Sequence, residues 1–119
     1  LQELSIYSIY DEYLSITESQ NTISPKISMK INGFYPNPSN GRFKMDISNF
    51  PGGKGTIRVF NLLGQEIYST SIHYMPLGRH FLNLDLNTVK GIPTGSGIVF
   101  VRVEAPEEQI VKKCIILKN

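Results

Sequence analysis

The run Phe34-Tyr35-Pro36-Asn37-Pro38-Ser39-Asn40-Gly41-Arg42-Phe43 constrains this chain more than any other stretch. Two prolines one residue apart fix φ at alternate positions and remove two backbone donors, so Tyr35 to Pro38 is expected to be extended. Ser39-Asn40-Gly41 then supplies turn chemistry, with Gly41 free to take a positive φ. Directly afterwards Phe43, Met45 and Ile47 alternate with Arg42, Lys44 and Asp46, the period of a half-buried strand. A stiff entry, a tight turn and a first core strand mark the start of a compact β domain.

The same grammar repeats to the end of the sequence. Pro51-Gly52-Gly53-Lys54-Gly55 reads as a loop before the strand Thr56 to Phe60, and Asn61-Leu62-Leu63-Gly64 as a hairpin turn before Gln65 to Ile72. After Met75-Pro76-Leu77-Gly78 comes the clearest alternation, Arg79 to Leu86, with Leu82, Leu84 and Leu86 on one face. A Gly/Pro-rich bend at 91–97 leads into Ile98 to Glu104, which is apolar on both faces as a central strand should be. Gln109 to Lys118 follows the turn at 105–108, and Lys112 and Lys113 interrupt it, which suits an edge position. From Met29 onward no segment has apolar positions at i, i+3, i+4 and i+7. The expected fold is therefore all-β, an immunoglobulin-like antiparallel sandwich of about seven strands.

Residues 1–17 read as an extended segment or the tail of an upstream domain, with short alternations at Leu4 to Ile9 and Tyr13 to Ile16. Residues 18–30 have linker composition, and 31–119 form the sandwich. Charge divides in the same place. Residues 1–28 carry four acids against Lys26, a net −3, whereas 29–119 carry eleven bases against six acids, a net +5. The bases are spread singly along strands (Arg42, Lys44, Arg58, Arg79, Arg102), which fits a solvated face better than a nucleic-acid surface. The 40% hydrophobic content suits a packed domain, and no apolar stretch approaches a membrane span. No signal-peptide pattern opens the sequence, so it reads as beginning in mid-protein.

Residues able to carry chemistry are few. His73 and His80 are the only histidines and Cys114 the only cysteine. A Cys–His pair would need an orienting partner that is not evident, and a lone cysteine in an apolar strand reads as a small core residue. Asp46, Glu66 and Asp85 are single strand carboxylates, read as solvent-facing. Metal-binding spacings and a phosphate-loop spacing around Gly52 to Gly55 are missing, so no cofactor is expected. Calcium held by loop carbonyls stays open, as does a stacking platform built from Tyr7, Tyr10, Tyr13, Tyr68 and Tyr74.

From about Gly33 to Asn119 the chain resembles the type A C-terminal sorting domain of the type IX secretion system of certain Gram-negative bacteria. Tyr35, Pro36, Asn37 and Pro38 with Gly41 look like that family's opening signature. Ile57 to Ile67, turning at Gly64, resembles its middle strand-turn-strand. Leu82 to Leu86 matches its leucine strand, and Gly97 to Val103 its penultimate strand. Lys112-Lys113-Cys114-Ile115-Ile116-Leu117-Lys118 resembles its basic-apolar ending. Val99 stands where the family usually has tyrosine, and Gly95-Ser96 lengthens the approach to Gly97.

The resemblance implies an address, not an enzyme. Such a domain directs an attached upstream cargo from the periplasm across the outer membrane, to the cell surface or the medium. Its implied partners are the secretion machinery and a sortase, which commonly removes the domain and joins the cargo to an anionic lipopolysaccharide. The terminal strand would offer main-chain groups and Lys112, Lys113 and Lys118 for recognition. A glycan- or protein-binding module of a surface protein is the alternative, and an inert spacer a third. A spacer should continue past its last strand, whereas the sequence given runs out at Asn119. The polar composition of 18–28 yields a first prediction: limited proteolysis cuts there first and leaves a stable C-terminal fragment. Initial cuts inside 42–104 contradict the division.

Overall fold

The structure is a computed structural model and describes residues 28–87 and 96–117. Seven strands follow one another without a helix among the described residues: β1 (Lys30–Tyr35), β2 (Arg42–Phe50), β3 (Gly53–Phe60), β4 (Glu66–Met75), β5 (Gly78–Asp85), β6 (Ser96–Ala105) and β7 (Glu108–Leu117). They form a three-stranded sheet in the order β1-β2-β5 and a four-stranded sheet in the order β4-β3-β6-β7. Every strand pairing within the sheets is antiparallel. The hairpins β1–β2, β3–β4 and β6–β7 stay within a sheet. The chain changes sheet three times, at Pro51-Gly52 and Pro76-Leu77, where proline cannot continue a ladder, and between β5 and β6. This is an immunoglobulin-like sandwich of three strands against four.

Alternation along the strands builds the core. From the smaller sheet come Ile31, Phe34, Phe43, Met45, Ile47 and Leu84, and from the larger Ile57, Val59, Val99, Val101, Val103, Cys114 and Ile116, all buried. Phe34 and Phe43 meet edge to face with ring centroids 5.3 Å apart, a favoured aromatic geometry. Each fully buried side chain of this kind contributes roughly 1.5–3 kcal/mol relative to exposure. β6 lies between β3 and β7, and β7 is an edge, as the sequence pattern implied.

Three local expectations are corrected. β1 was not distinguished as a strand, because the bulge at Asn32 breaks the alternation of its six residues: Ile31 faces Ile47, but Gly33 faces Asp46. Met29, just before it, is buried and donates its backbone N–H to Glu108 Oε1 at 3.0 Å. Pro36 to Pro38 are not extended. Both X–Pro peptide bonds are cis, and the chain bends through these residues. The glycine-rich loop is shorter than expected, since Gly53 opens β3 and Gly55 pairs with Ile72 inside it. A Cβ on Gly55 would sit 2.7 Å from the Glu104 carbonyl oxygen, so close packing explains this glycine.

Asp46 also departs from expectation: its side chain is only 3% exposed, although it faces away from the core. Arg79 from β5 grips it with two hydrogen bonds, Nε to Oδ1 at 3.0 Å and Nη2 to Oδ2 at 2.8 Å, and Asn32 donates to Oδ1 at 3.2 Å. The three side chains tie together all three strands of the smaller sheet across its outer surface. Glu66 and Asp85 are exposed partners of Arg58 (3.1 Å) and Arg42 (3.4 Å).

The Arg79 hydrogen bonds hold the Asp46 carboxyl below the usual carboxylate range, outweighing the opposing effect of burial. A depressed folded pKa gives stability that is complete above the unfolded value of about 3.9 and is lost as pH falls through the folded one. Asp46→Ala should therefore lower unfolding stability at pH 7 by about 1–3 kcal/mol in urea denaturation. The gap to the natural protein should shrink as the pH is lowered below about 4. A gap that is constant with pH contradicts the pairing.

Candidate functional site

The residues singled out by sequence gather mostly at one end of the sandwich. After β1, the bend at Pro36 to Pro38 carries the chain from the smaller sheet to the edge of the larger one, where Ser39 meets the end of β7. Ser39 N–H donates to the Ile115 carbonyl at 2.8 Å, and Leu117 N–H donates to the Ser39 carbonyl at 2.7 Å. The result is a single parallel bridge, Ser39 to Ile116. Ser39 is 0% exposed, and its hydroxyl is satisfied, accepting from Gly41 N–H at 2.9 Å and donating to the Arg42 carbonyl at 3.2 Å.

Gly41 completes the turn with φ +107°, where a side chain is strained, and an added Cβ would collide with the Asn87 side chain. Its carbonyl accepts from Leu86 N–H at 2.8 Å. Three residues, Ser39 to Gly41, thus join the start of β2, the end of β5 and the end of β7. Gly97 belongs to the same row, since it pairs with Ile116 from the β6 side while Ser39 pairs with it from the other.

Gly64 has a different task. It takes φ +82° in the β3–β4 turn, with open space where a Cβ would be. The turn is organised by Asn61, whose Oδ1 accepts from Leu63 N–H at 2.9 Å and Gln65 N–H at 3.0 Å. Leu62 and Leu63 project from its tip.

Lys112 and Lys113 are exposed on β7 but point to opposite faces. Lys112 stands opposite the buried Val101 and Lys113 opposite Phe100 on the outer face. Lys118 lies outside the described residues, as do 1–27. The bridge to Ser39 occupies the free edge of β7 at Ile115 and Leu117. By the two-residue period, Gln109, Val111 and Lys113 carry the main-chain groups that still face outward. Ser39, which makes the bridging contacts, was read from sequence only as a turn residue. A small polar residue between a proline and Asn-Gly was the available signal.

Residues weighed for chemistry are dispersed. Cys114 is buried in the core, and burial pushes its thiol up to about 12, which suppresses the thiolate. His73 is exposed on β4, whereas His80 on β5 packs edge to face with Phe50 at 6.2 Å and has Nε2 2.6 Å from the Pro76 carbonyl. Tyr68 packs against the core while Tyr74 is exposed, and Tyr7, Tyr10 and Tyr13 are outside the described residues. Among the described residues no three acidic, histidine or cysteine side chains converge as metal ligands.

The family model described as the secretion system C-terminal sorting domain matches residues 33–117. No curated protein matches the sequence. The matched span opens in β1, just before the proline motif, and closes on the strand that Ser39 clamps. The family is one of sorting signals and not of enzymes, and the binding-module alternative is not favoured. The chain belongs to the C-terminal sorting domains, and its function is that of a sorting signal for type IX secretion, which exports the protein across the outer membrane to the cell surface or the medium.

Proposed function

We propose that the signal is read at β7, presented as a fixed strand by the Ser39 bridge. The observation that carries this reading is the pair of backbone hydrogen bonds at Ile115 and Leu117. They support a terminal strand whose conformation is set before the secretion machinery meets it, so that recognition incurs little ordering cost. The groups offered are the outward main chain of Gln109, Val111 and Lys113, with the ammonium groups of Lys112 and Lys113 on either face. Lys118 extends the basic run. Tyr35, Pro36, Asn37, Pro38 and Gly41 act by holding the strand, as does Gly97 from its other side, and Gly64 shapes the neighbouring turn.

The route follows from the reading. The cargo lies upstream in the same chain, passes through the periplasm, and crosses the outer membrane with this domain as its address. A sortase then cuts in the polar stretch 18–28, where the sequence offers no apolar pattern to bury backbone. Residues 1–17 go with the cargo side of the cut.

Fusing the 119-residue chain behind a reporter that carries a periplasmic leader, in a bacterium with the type IX machinery, tests the proposal. The reporter is expected outside the cell. Lys112→Gln with Lys113→Gln should keep stability within about 0.5 kcal/mol, as exposed substitutions usually do, while export falls. Unchanged export by the folded double variant would falsify the role of these lysines. Gly41→Ala should lower stability by about 1–3 kcal/mol through backbone strain, read as an earlier urea midpoint, and lower export with it. Full stability in that variant contradicts the clamp.

A further inference from the structure

A sandwich of two open sheets has four edges, and three of them carry features that hinder another strand from adding along their full length. β1 has its bulge at Asn32 and ends at Pro36. β4 carries the extra residue at both register breaks against β3, between Glu66 and Tyr68 and between Ile72 and Met75. β7 has Lys112 and Lys113 and is covered at its end by Ser39. Bulges, lysines, proline and covering segments are the usual means of blunting a sheet edge.

Among the described residues β5 has none of them. Its eight residues, Gly78–Asp85, include no proline and no lysine, and the one register break against β2 puts the extra residue on β2. Its two charges are turned back toward β2, Arg79 onto Asp46 and Asp85 onto Arg42. Among the described residues its outer main-chain groups therefore lie along an unguarded edge.

The face beside that edge is basic and carries two exposed rings, Tyr35 on β1 and Phe81 on β5 itself. Phe81 is 54% exposed, with the Arg79 guanidinium carbon 5.3 Å and Lys44 Nζ 5.7 Å from its centroid. The register places Arg79 before Phe81 and Lys44, opposite Asn83, beyond it, so the two cations flank the ring along the strand. Four cations on this face (Lys30, Arg42, Lys44, Arg79) meet two carboxylates (Asp46, Asp85), leaving a net +2. The two ion pairs account for both carboxylates, so Lys30 and Lys44 carry the excess.

We propose that β5 is a docking edge that takes an extended acidic segment of a partner protein as an added strand. Main-chain groups of β5 supply the ladder, and acidic side chains on the added strand meet the cationic face around Phe81. A glycan fits less well, because cations already flank the Phe81 ring it would stack on. The edge is separate from β7, and the inference does not depend on how the sorting signal is read.

The test is an NMR titration of the isotope-labelled 119-residue chain with a synthetic eight-residue peptide alternating glutamate and valine. Controls are a lysine–valine counterpart, two forms N-methylated at every glutamate or every valine, and dextran sulfate. Amide shifts are expected along Gly78–Asp85 with the glutamate peptide and not with the lysine one. One of the N-methylated forms should bind at least about tenfold more weakly, because a strand without its N–H groups cannot form the ladder. Lys44→Gln, an exposed position, should weaken binding by about two- to fivefold. No binding by the glutamate peptide, equal binding by the lysine peptide or by both N-methylated forms, or shifts mapping to β4 or β7 would overturn the proposal. So would dextran sulfate moving this face while the glutamate peptide does not.

Discussion

Two backbone hydrogen bonds, Ser39 N–H to the Ile115 carbonyl and Leu117 N–H to the Ser39 carbonyl, join the segment that leaves the smaller sheet to the edge strand of the larger one. The strand order leaves β7 at the edge of the larger sheet, with β6 as its one antiparallel neighbour. A strand that ends a domain frays unless something ties it down. The proline bend brings Ser39 across from the smaller sheet to do so. Gly41 makes the bend affordable, because only glycine takes φ +107° there without strain and without striking Asn87.

The arrangement suits an address better than a reaction. Cys114, the most nucleophilic residue type present, is spent on packing, and the histidines stand on separate strands. What the surface offers is a set of strands with defined edges and a modest excess of positive charge. Ordered polar contacts hold its outer faces: Asp46 with Arg79 on one sheet, and Arg58 between Glu66 and Glu104 on the other. Arg102 caps this second group by lying over the Phe60 ring at 4.7 Å.

Much of this was legible in the sequence, and the exceptions have physical causes. Leu82, Leu84 and Leu86 declared their strand through a period of two, and apolar residues on both faces of Ile98 to Val103 declared a central position. Lys112 and Lys113 marked an edge correctly, because charge is tolerated only where one side of a strand is wet. β1 was obscured because a bulge at Asn32 breaks a six-residue pattern too short to absorb it. Asp46 was misread because a carboxylate on an outward position looks solvated until its partner, 33 residues away, is known. The proline motif announced a turn, but composition does not encode which strand a turn will touch, so the role of Ser39 emerged only in three dimensions. That the two lysines face opposite ways, by contrast, was implicit in their adjacency on a strand.

The most direct test of the account is amide hydrogen exchange at Ser39 and Leu117 in the folded chain. If the bridge holds the terminal strand, both N–H groups exchange slowly, with protection comparable to the ladder amides of β6 and β7. Exchange at Leu117 as fast as in an unstructured tail, while β6 stays protected, would show that the strand is loose at its end and that the clamp does not present it.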